Sequence, residues 1–199
     1  YELVSFKKIF FESDEQLDDF VLQCDVIIHL AAMNRHSNSV VIYNTNVQLV
    51  EKLVASLIRT DSNAHIVMSS SSQEEKDNLY GKSKRDGRLI FMNWVQKSKG
   101  SFTGLIIPNV FGPFGKPNYN SVVATFCYKI ANNEVPEVHK DSTISLIYVG
   151  ELVDAICKVI NKGEGIEKLV IEPTSQIKVS ELLNLLNSFK SEYQDNGEI

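Results

Sequence analysis

Apolar residues along this chain fall into two alternating patterns. Val26 to Leu30, within DVIIHLAA, is a nearly continuous apolar run bounded by polar residues, the pattern of a strand covered on both faces rather than one half-exposed in an antiparallel sheet. HIVMS at 65–69, TGLIIP at 103–108, Ile144 to Val149 and KLVIE at 168–172 predict further strands, TGLIIP being halted by Pro108. Between them the apolar spacing becomes helical. Val47, Val50, Leu53, Val54, Leu57 and Ile58 mark a long helix within 40–59, and Leu89, Phe91, Met92 and Val95 mark one over 79–95. Further helices are predicted at 122–131, 151–160 and in KVSELLNLLNSF. At the front, Tyr1 to Phe6 predicts a strand, and Ser13 followed by Gln16 predicts a capping box opening a helix through Leu17, Phe20, Val21 and Cys24. The tail from 191 to 199 has nothing to bury.

Strand and helix in regular alternation predict an α/β fold: a Rossmann-like parallel sheet with helices on both faces, and ligands at the carboxyl ends of the strands. No internal repeat interrupts the series. With 199 residues, 43% of them hydrophobic, the chain is long enough for one good core. The formal charge of −5, with scattered lysines and arginines, gives no electrostatic footprint for nucleic acid or acidic lipid. No apolar run approaches the ~20 residues that span a bilayer. Cys24, Cys127 and Cys157 are widely spaced among apolar neighbours, which suits buried thiols in a reducing compartment better than disulfides. His29, His36, His65 and His139 share no metal-ligand spacing; His29 reads as a core histidine. A cytoplasmic protein that handles a small molecule is the expectation.

The candidate chemistry lies in SSSSQEEKDNLYGKSK, residues 69–84. Reducing a ketone or oxidising an alcohol needs a group that gives or takes the oxygen's proton. Tyrosine serves if a nearby cation lowers its pKa, and a lysine four residues later on one helix lies one turn away on the same face. Tyr80 and Lys84 have that relation. A serine where a buried strand ends can hold the substrate oxygen in line. Alternate strand residues face opposite ways, so two of the four serines point toward any site, and periodicity leaves open which two.

DVIIHLAA, SSSS, YGKSK and PNVFGP stand in the order and context of the extended short-chain dehydrogenase/reductases, the nucleotide-sugar epimerases, dehydratases and reductases. The chain resembles that family over about residues 1 to 190, most closely its capsular polysaccharide enzymes that reduce a UDP-4-keto-6-deoxy-N-acetylhexosamine. KPNYNSVVATFCYKI, at 116–130, and the short interval between Ser71 and Tyr80 are similar to that subgroup. The resemblance implies a dinucleotide-binding core over 1–111 and a substrate-binding region with interleaved Rossmann elements over 112–190. It implies NADP or NAD as cofactor, a UDP-linked sugar as substrate and a homodimer through the two long helices. Tyr80 would then be the acid/base, Lys84 its support and the holder of the nicotinamide ribose, and Ser71 the substrate-oxygen serine, with Ser70 the alternative. Leu30, Ala31, Ala32, Ser69 and Pro108 would line the cofactor, and Asn109 would touch the sugar nucleotide.

Other residues have a functional and a plain reading. Asn34 and Arg35 follow the HLAA strand end, where a guanidinium can grip a diphosphate; a solvated loop arginine is the plain alternative. Asn118, Asn120 and Ser121 suit sugar or uracil edges, yet such residues also make turns and cap helices. Asn46 on the long helix reads best as a structural hydrogen bond.

The family's glycine-rich turn, which receives the pyrophosphate at a helix N-terminus, has no counterpart here, since the first glycine is Gly81. The expectation is therefore an N-terminally truncated core, with Tyr1 matching the family's second strand. A rival reading is a sugar-nucleotide-binding module without catalysis.

Overall fold

The computed structural model describes residues 1–197, which divide into two compact units. The first comprises Tyr1–Ile107 and Ala155–Ile171, the second Pro108–Asp154 and Glu172 onward. The first break therefore falls after Ile107, and the chain returns to the first unit for its last strand.

The first unit is a four-stranded parallel sheet flanked by helices. Its strands are β1 (Val26–His29), β2 (His65–Ser71), β3 (Ser101–Ile107) and β6 (Ile166–Val170), in the order β1-β2-β3-β6. Parallel neighbours need a crossover, supplied by α2 (Ser39–Arg59) between β1 and β2 and α3 (Leu79–Val95) between β2 and β3. Register runs from Val26 beside His65 and His65 beside Ser101 to Ser71 beside Ile107. Helix α1 (Asp14–Val21) is capped by Ser13, whose hydroxyl accepts from the Gln16 N–H, so the serine half of the expected box is present. Leu17, Val21, Val50, Leu53, Leu57, Ile66, Met68 and Phe91 form the core.

Three expectations for this unit need correction. Tyr1 to Phe6 is not a strand: it runs without a ladder partner into a 3-10 turn at Lys8–Glu12, and without a neighbour to satisfy its N–H and C=O groups an apolar run does not become a strand. β1 is covered on one face only. Ile27 and His29 point inward, while Ile28 and Leu30 are 43% and 61% exposed. On α3 Phe91 is buried and Met92 and Val95 pack against the core as the spacing predicts, but Leu89 faces outward, and the buried stripe also carries Gly81, Lys84, Gly87, Arg88 and Trp94.

The second unit holds a smaller mixed sheet. β4 (Asn109–Phe111) pairs in parallel with β5 (Thr143–Tyr148), which pairs antiparallel with β7 (Ser175–Lys178). Its core joins Phe126 and Ile130 of α4 (Val122–Ala131) to Val179 and Leu182 of α6 (Val179–Phe189). Helix α5 (Val149–Lys162) runs from this unit into the residues of the first. The antiparallel pair departs from the all-parallel expectation, and Cys127, expected to be buried, is exposed on α4. The tail is not structureless throughout, since Lys190–Asp195 continues α6 as a π-helical turn; residues 198 and 199 lie outside the described residues. Among the described residues no helix is long and apolar enough to cross a membrane.

Candidate active site

The serines at the end of β2 divide between the two faces of the sheet, as strand alternation requires. Ser70 points into the interior and donates to Glu74. Ser69 and Ser71 share the opposite, partly exposed side. The Ser71 hydroxyl accepts from the Gln73 N–H at 3.2 Å and opens the 3-10 turn Ser72–Glu75. Ser70 is thus occupied and buried, whereas Ser71 lies on the partly exposed side of the strand end.

Helix α3 begins directly after this turn. Asn78 caps it, its side chain accepting from the Gly81 N–H at 2.8 Å. Gly81 is required here by close approach: an added Cβ would lie 1.8 Å from the Gln73 carbonyl oxygen, so the turn rests directly on the first coil of the helix. This contact sets the serine-bearing strand end beside Tyr80 and Lys84. The Lys84 ammonium stands 5.9 Å from the centre of the Tyr80 ring and donates to the Ser69 carbonyl at 3.0 Å.

Burial dominates the electrostatics. Lys84 is 4% exposed, and desolvation lowers its pKa to about 8, with the Glu74 charge pulling the other way. Burial pushes the Tyr80 phenol above its ordinary value. Burial thus moves the phenol in the direction opposite to the acidification expected from a neighbouring cation. Tyr80 is therefore a phenol, not a phenolate, at neutral pH. His29 is a core residue with its ring edge-on to Phe91 at 5.6 Å, and burial followed by the Lys84 charge lowers its pKa to about 3.

The segment after β1 carries Leu30, Ala31, Ala32, Asn34 and Arg35. Ala31 packs against the core, whereas Leu30, Asn34 and Arg35 are exposed. Asn46, buried on α2, grips this segment at both Met33 backbone groups: its Oδ1 accepts from the N–H at 2.6 Å and its Nδ2 donates to the carbonyl at 3.1 Å. The same Nδ2 reaches the Ser83 hydroxyl at 3.0 Å. One amide therefore ties the strand end of β1 to α3, a structural role that fits the sequence reading of Asn46.

The other sequence candidates belong to the second unit. Asn109 opens β4 and donates to the Ser145 carbonyl at 3.0 Å, directly after Pro108. Asn118 has a left-handed backbone, φ 55°, and its N–H donates to Thr125. Asn120 is exposed, and Ser121 caps α4 by accepting from the Ala124 N–H at 3.2 Å. Ser121 thus performs the plain task weighed for it.

Sequence reasoning missed Glu74 and Arg88, which form a buried ion pair behind the serines. The available signal was that Lys84 and Arg88 fall on the same helical face as Gly81, Phe91 and Trp94, a place where cations are rare unless partnered. Among the described residues no group of three or more metal-binding side chains occurs.

The chain is similar to known proteins along most of its length. The model of the NAD dependent epimerase/dehydratase family matches residues 4–171. The UDP-2-acetamido-2,6-beta-L-arabino-hexul-4-ose reductase of Pseudomonas aeruginosa is 32% identical over 177 residues, 88% of this chain and 48% of that protein. The crystal structure of the capsular polysaccharide assembling protein CapF from Staphylococcus aureus superposes with a TM-score of 0.76 at 33% identity, covering 91% of this chain and 49% of that one. The UDP-glucose 4-epimerase of Thermotoga maritima, at 18% identity and a TM-score of 0.79 over 91% of this chain and 66% of that one, shares the fold. The chain spans about half the length of the first two relatives. A parallel sheet ending in serines, a helix opening on Tyr80 and Lys84, and a family match from residue 4 to residue 171 agree with one another: the chain belongs to the NAD dependent epimerase/dehydratase family.

Proposed function

We propose that this chain carries the proton-transfer centre of an NAD- or NADP-dependent reductase or epimerase acting on a UDP-linked sugar, of the UDP-4-keto-6-deoxy-N-acetylhexosamine type, in the biosynthesis of a capsular or surface polysaccharide. The observation that carries the reading is the local geometry: Lys84 is anchored to the end of the serine strand and stands one helical turn from Tyr80. The names of the two relatives above 30% identity, a UDP-sugar reductase and a capsular polysaccharide assembling protein, support the substrate class.

In this reading Tyr80 donates its phenolic proton to the sugar's carbonyl oxygen. Its raised pKa keeps that proton in place until the oxygen develops negative charge, which suits a proton donor in reduction. Ser71, at the rim of the strand, orients the carbonyl by a hydrogen bond. Lys84 offers positive charge to the phenolate left behind.

The residues present fit the nicotinamide end of a dinucleotide. Ala31 and Ala32 are small, and their segment is fixed by the Asn46 clamp, so its backbone is available beside the strand ends. Lys84 would hold the nicotinamide ribose, with Leu30 and Ser69 lining the group. A bound NAD or NADP supplies the hydride. Asn34, Arg35, Asn109, Asn118, Asn120 and Ser121 are the candidates for the sugar nucleotide.

The test is Tyr80→Phe in the full-length protein, assayed by dinucleotide oxidation with a UDP-4-keto sugar. Turnover is expected to fall by ~10²–10⁴, with sugar-nucleotide affinity by calorimetry nearly unchanged. Undiminished turnover overturns the assignment. Calorimetry of the 199-residue chain with NADPH, NADH and UDP-N-acetylglucosamine separates this from the rival: a module that only binds takes up the sugar nucleotide and neither dinucleotide.

A further inference from the structure

Behind the serine strand lies a buried charge cluster that the proposed proton transfer does not use. Glu74 accepts from the Ser70 hydroxyl and from Arg88 Nε, at 3.4 Å to one carboxylate oxygen and 3.2 Å to the other. Arg88 Nη1 reaches Glu167 of β6 at 3.0 Å and the Met92 sulfur at 3.6 Å. The Glu74 and Arg88 side chains are 3% and 9% exposed, whereas that of Glu167 is 58% exposed. Glu74 is thus the carboxylate held in the interior, and β2, the 3-10 turn and α3 meet on it.

Such a pair is a poor device for stability alone. Taking both ions out of water offsets most of their attraction, and well-packed apolar residues of similar volume commonly do as well or better. Its position suggests another role. Glu74 follows the serine tract by one turn, and Ser70, which it grips, is the immediate neighbour of both Ser69 and Ser71. The turn it belongs to is pressed onto Gly81, the residue after Tyr80. The charged groups around it are Lys84 and Arg88 from α3, Glu75 from the turn, and Glu167 and Lys168 from β6. Glu75 and Lys168 occupy each other at 3.0 Å, Glu167 is largely in water, and His29 of β1 is neutral. Glu74 is left as the buried negative charge: it is paired with Arg88, and it grips the residue next to Ser69, whose carbonyl holds the Lys84 ammonium one helical turn before Arg88.

We propose that Glu74 is a positioning residue for the reaction centre: its carboxylate locks the serine-bearing end of β2 to α3 and is the counter-charge of the buried Lys84 ammonium. The idea rests on the proton-transfer reading for its use, but not for its test. The Glu74 charge already opposes the desolvation of Lys84. Removing it leaves Lys84 and Arg88 as two cations beside one largely solvated carboxylate, and Lys84 then releases its proton at lower pH.

The experiment is an NMR titration of the 199-residue chain labelled with 13Cε-lysine, the Lys84 resonance being assigned by its loss in Lys84→Met. The wild-type midpoint is expected at about 8, that of Glu74→Gln lower, and that of Glu74→Asp back toward wild type. Should Glu74→Gln fail to fold, the double variant Glu74→Gln with Arg88→Met, which leaves no buried guanidinium unpaired, is compared with Arg88→Met, so that the Glu74 charge is the difference between the two proteins. A midpoint in the folded protein without the Glu74 charge equal to that of its reference, wild type or Arg88→Met, overturns the proposal. No cofactor or substrate takes part, so failure of the Tyr80→Phe assay removes the functional reading and leaves this result standing. In the full-length enzyme Glu74→Gln is expected to shift the alkaline limb of the pH–rate profile downward with little change in KM for the sugar nucleotide; an unshifted limb likewise counts against it.

Discussion

The two units of this protein treat polar residues in opposite ways. In the first, Lys84, Arg88, Glu74, Ser70, Asn46 and His29 are all buried, and the hydrogen bonds of the first five tie strand ends to helices. In the second, Asn109, Asn118 and Asn120 lie exposed on β4 and the loop before α4. There Phe114 and Asn118 sit in left-handed backbone, at φ 64° and 55°. Burial fixes geometry and shifts pKa values at a cost in desolvation; exposure leaves side chains unshifted and adaptable. Of the groups proposed for proton transfer, Lys84 is buried and Tyr80 half-buried, whereas those proposed to recognise a sugar nucleotide are largely exposed.

Three changes test how deep the contrast goes. The largest effect is expected at His29. Its folded pKa of about 3 lies below the ordinary 6.5, so the unfolded chain binds a proton that the native ring refuses. The stability from this group is fully present above pH 6.5 and is lost as pH falls toward 3, in all roughly 5 kcal/mol at 1.36 kcal/mol per pKa unit. Urea unfolding at pH 7 and pH 4 should therefore show a larger acid loss for wild type than for His29→Leu; equal losses would mean that the ring does not carry the effect.

Lys84 comes next. Its folded pKa of about 8 against 10.5 unfolded means that below pH 8 the fold forces an ammonium into a dry place, and the cost fades as pH rises from 8 to 10.5. Lys84→Met should stabilise the protein at pH 7 by about 2 kcal/mol, roughly 3 from the relieved charge less the lost hydrogen bond to Ser69. The gain should shrink at pH 10, and a gain independent of pH would point to packing instead. The same variant should be inactive in the full-length enzyme, the usual trade between a strained site and its stability.

The smallest change is Phe114→Gly. The ring is wholly exposed, so relief of its left-handed backbone, ~1–2 kcal/mol, is offset by the chain entropy of glycine, ~0.5–1 kcal/mol. A rise in melting temperature of a few degrees at most is expected, and a marked fall would show that the ring is packed in solution.

Much of the fold was legible because its signals are local. The spacing over 79–95 predicted the bounds of α3 as observed, and Tyr80 and Lys84 were readable because one helix holds both. Whether Ser70 or Ser71 faces the site depends on which way β2 is turned, and that is decided by its neighbours. Tyr1 to Phe6 failed as a strand because a strand is made by its partner. β4 and β7, three and four residues long, carry no run to detect. The Glu74–Arg88–Glu167 cluster joins residues 14 and 79 positions apart, a coincidence of tertiary structure that periodicity does not encode.

The outer edge of β1 has a consequence for handling the polypeptide. Among the described residues no strand pairs with that edge, and Ile28 and Leu30 stand beside it in water. Free backbone donors and acceptors flanked by apolar side chains are a template for adding another extended chain. Concentrated samples of the isolated polypeptide will therefore tend to associate through β1, and low concentration or an added β-strand peptide is the natural means of keeping it in solution.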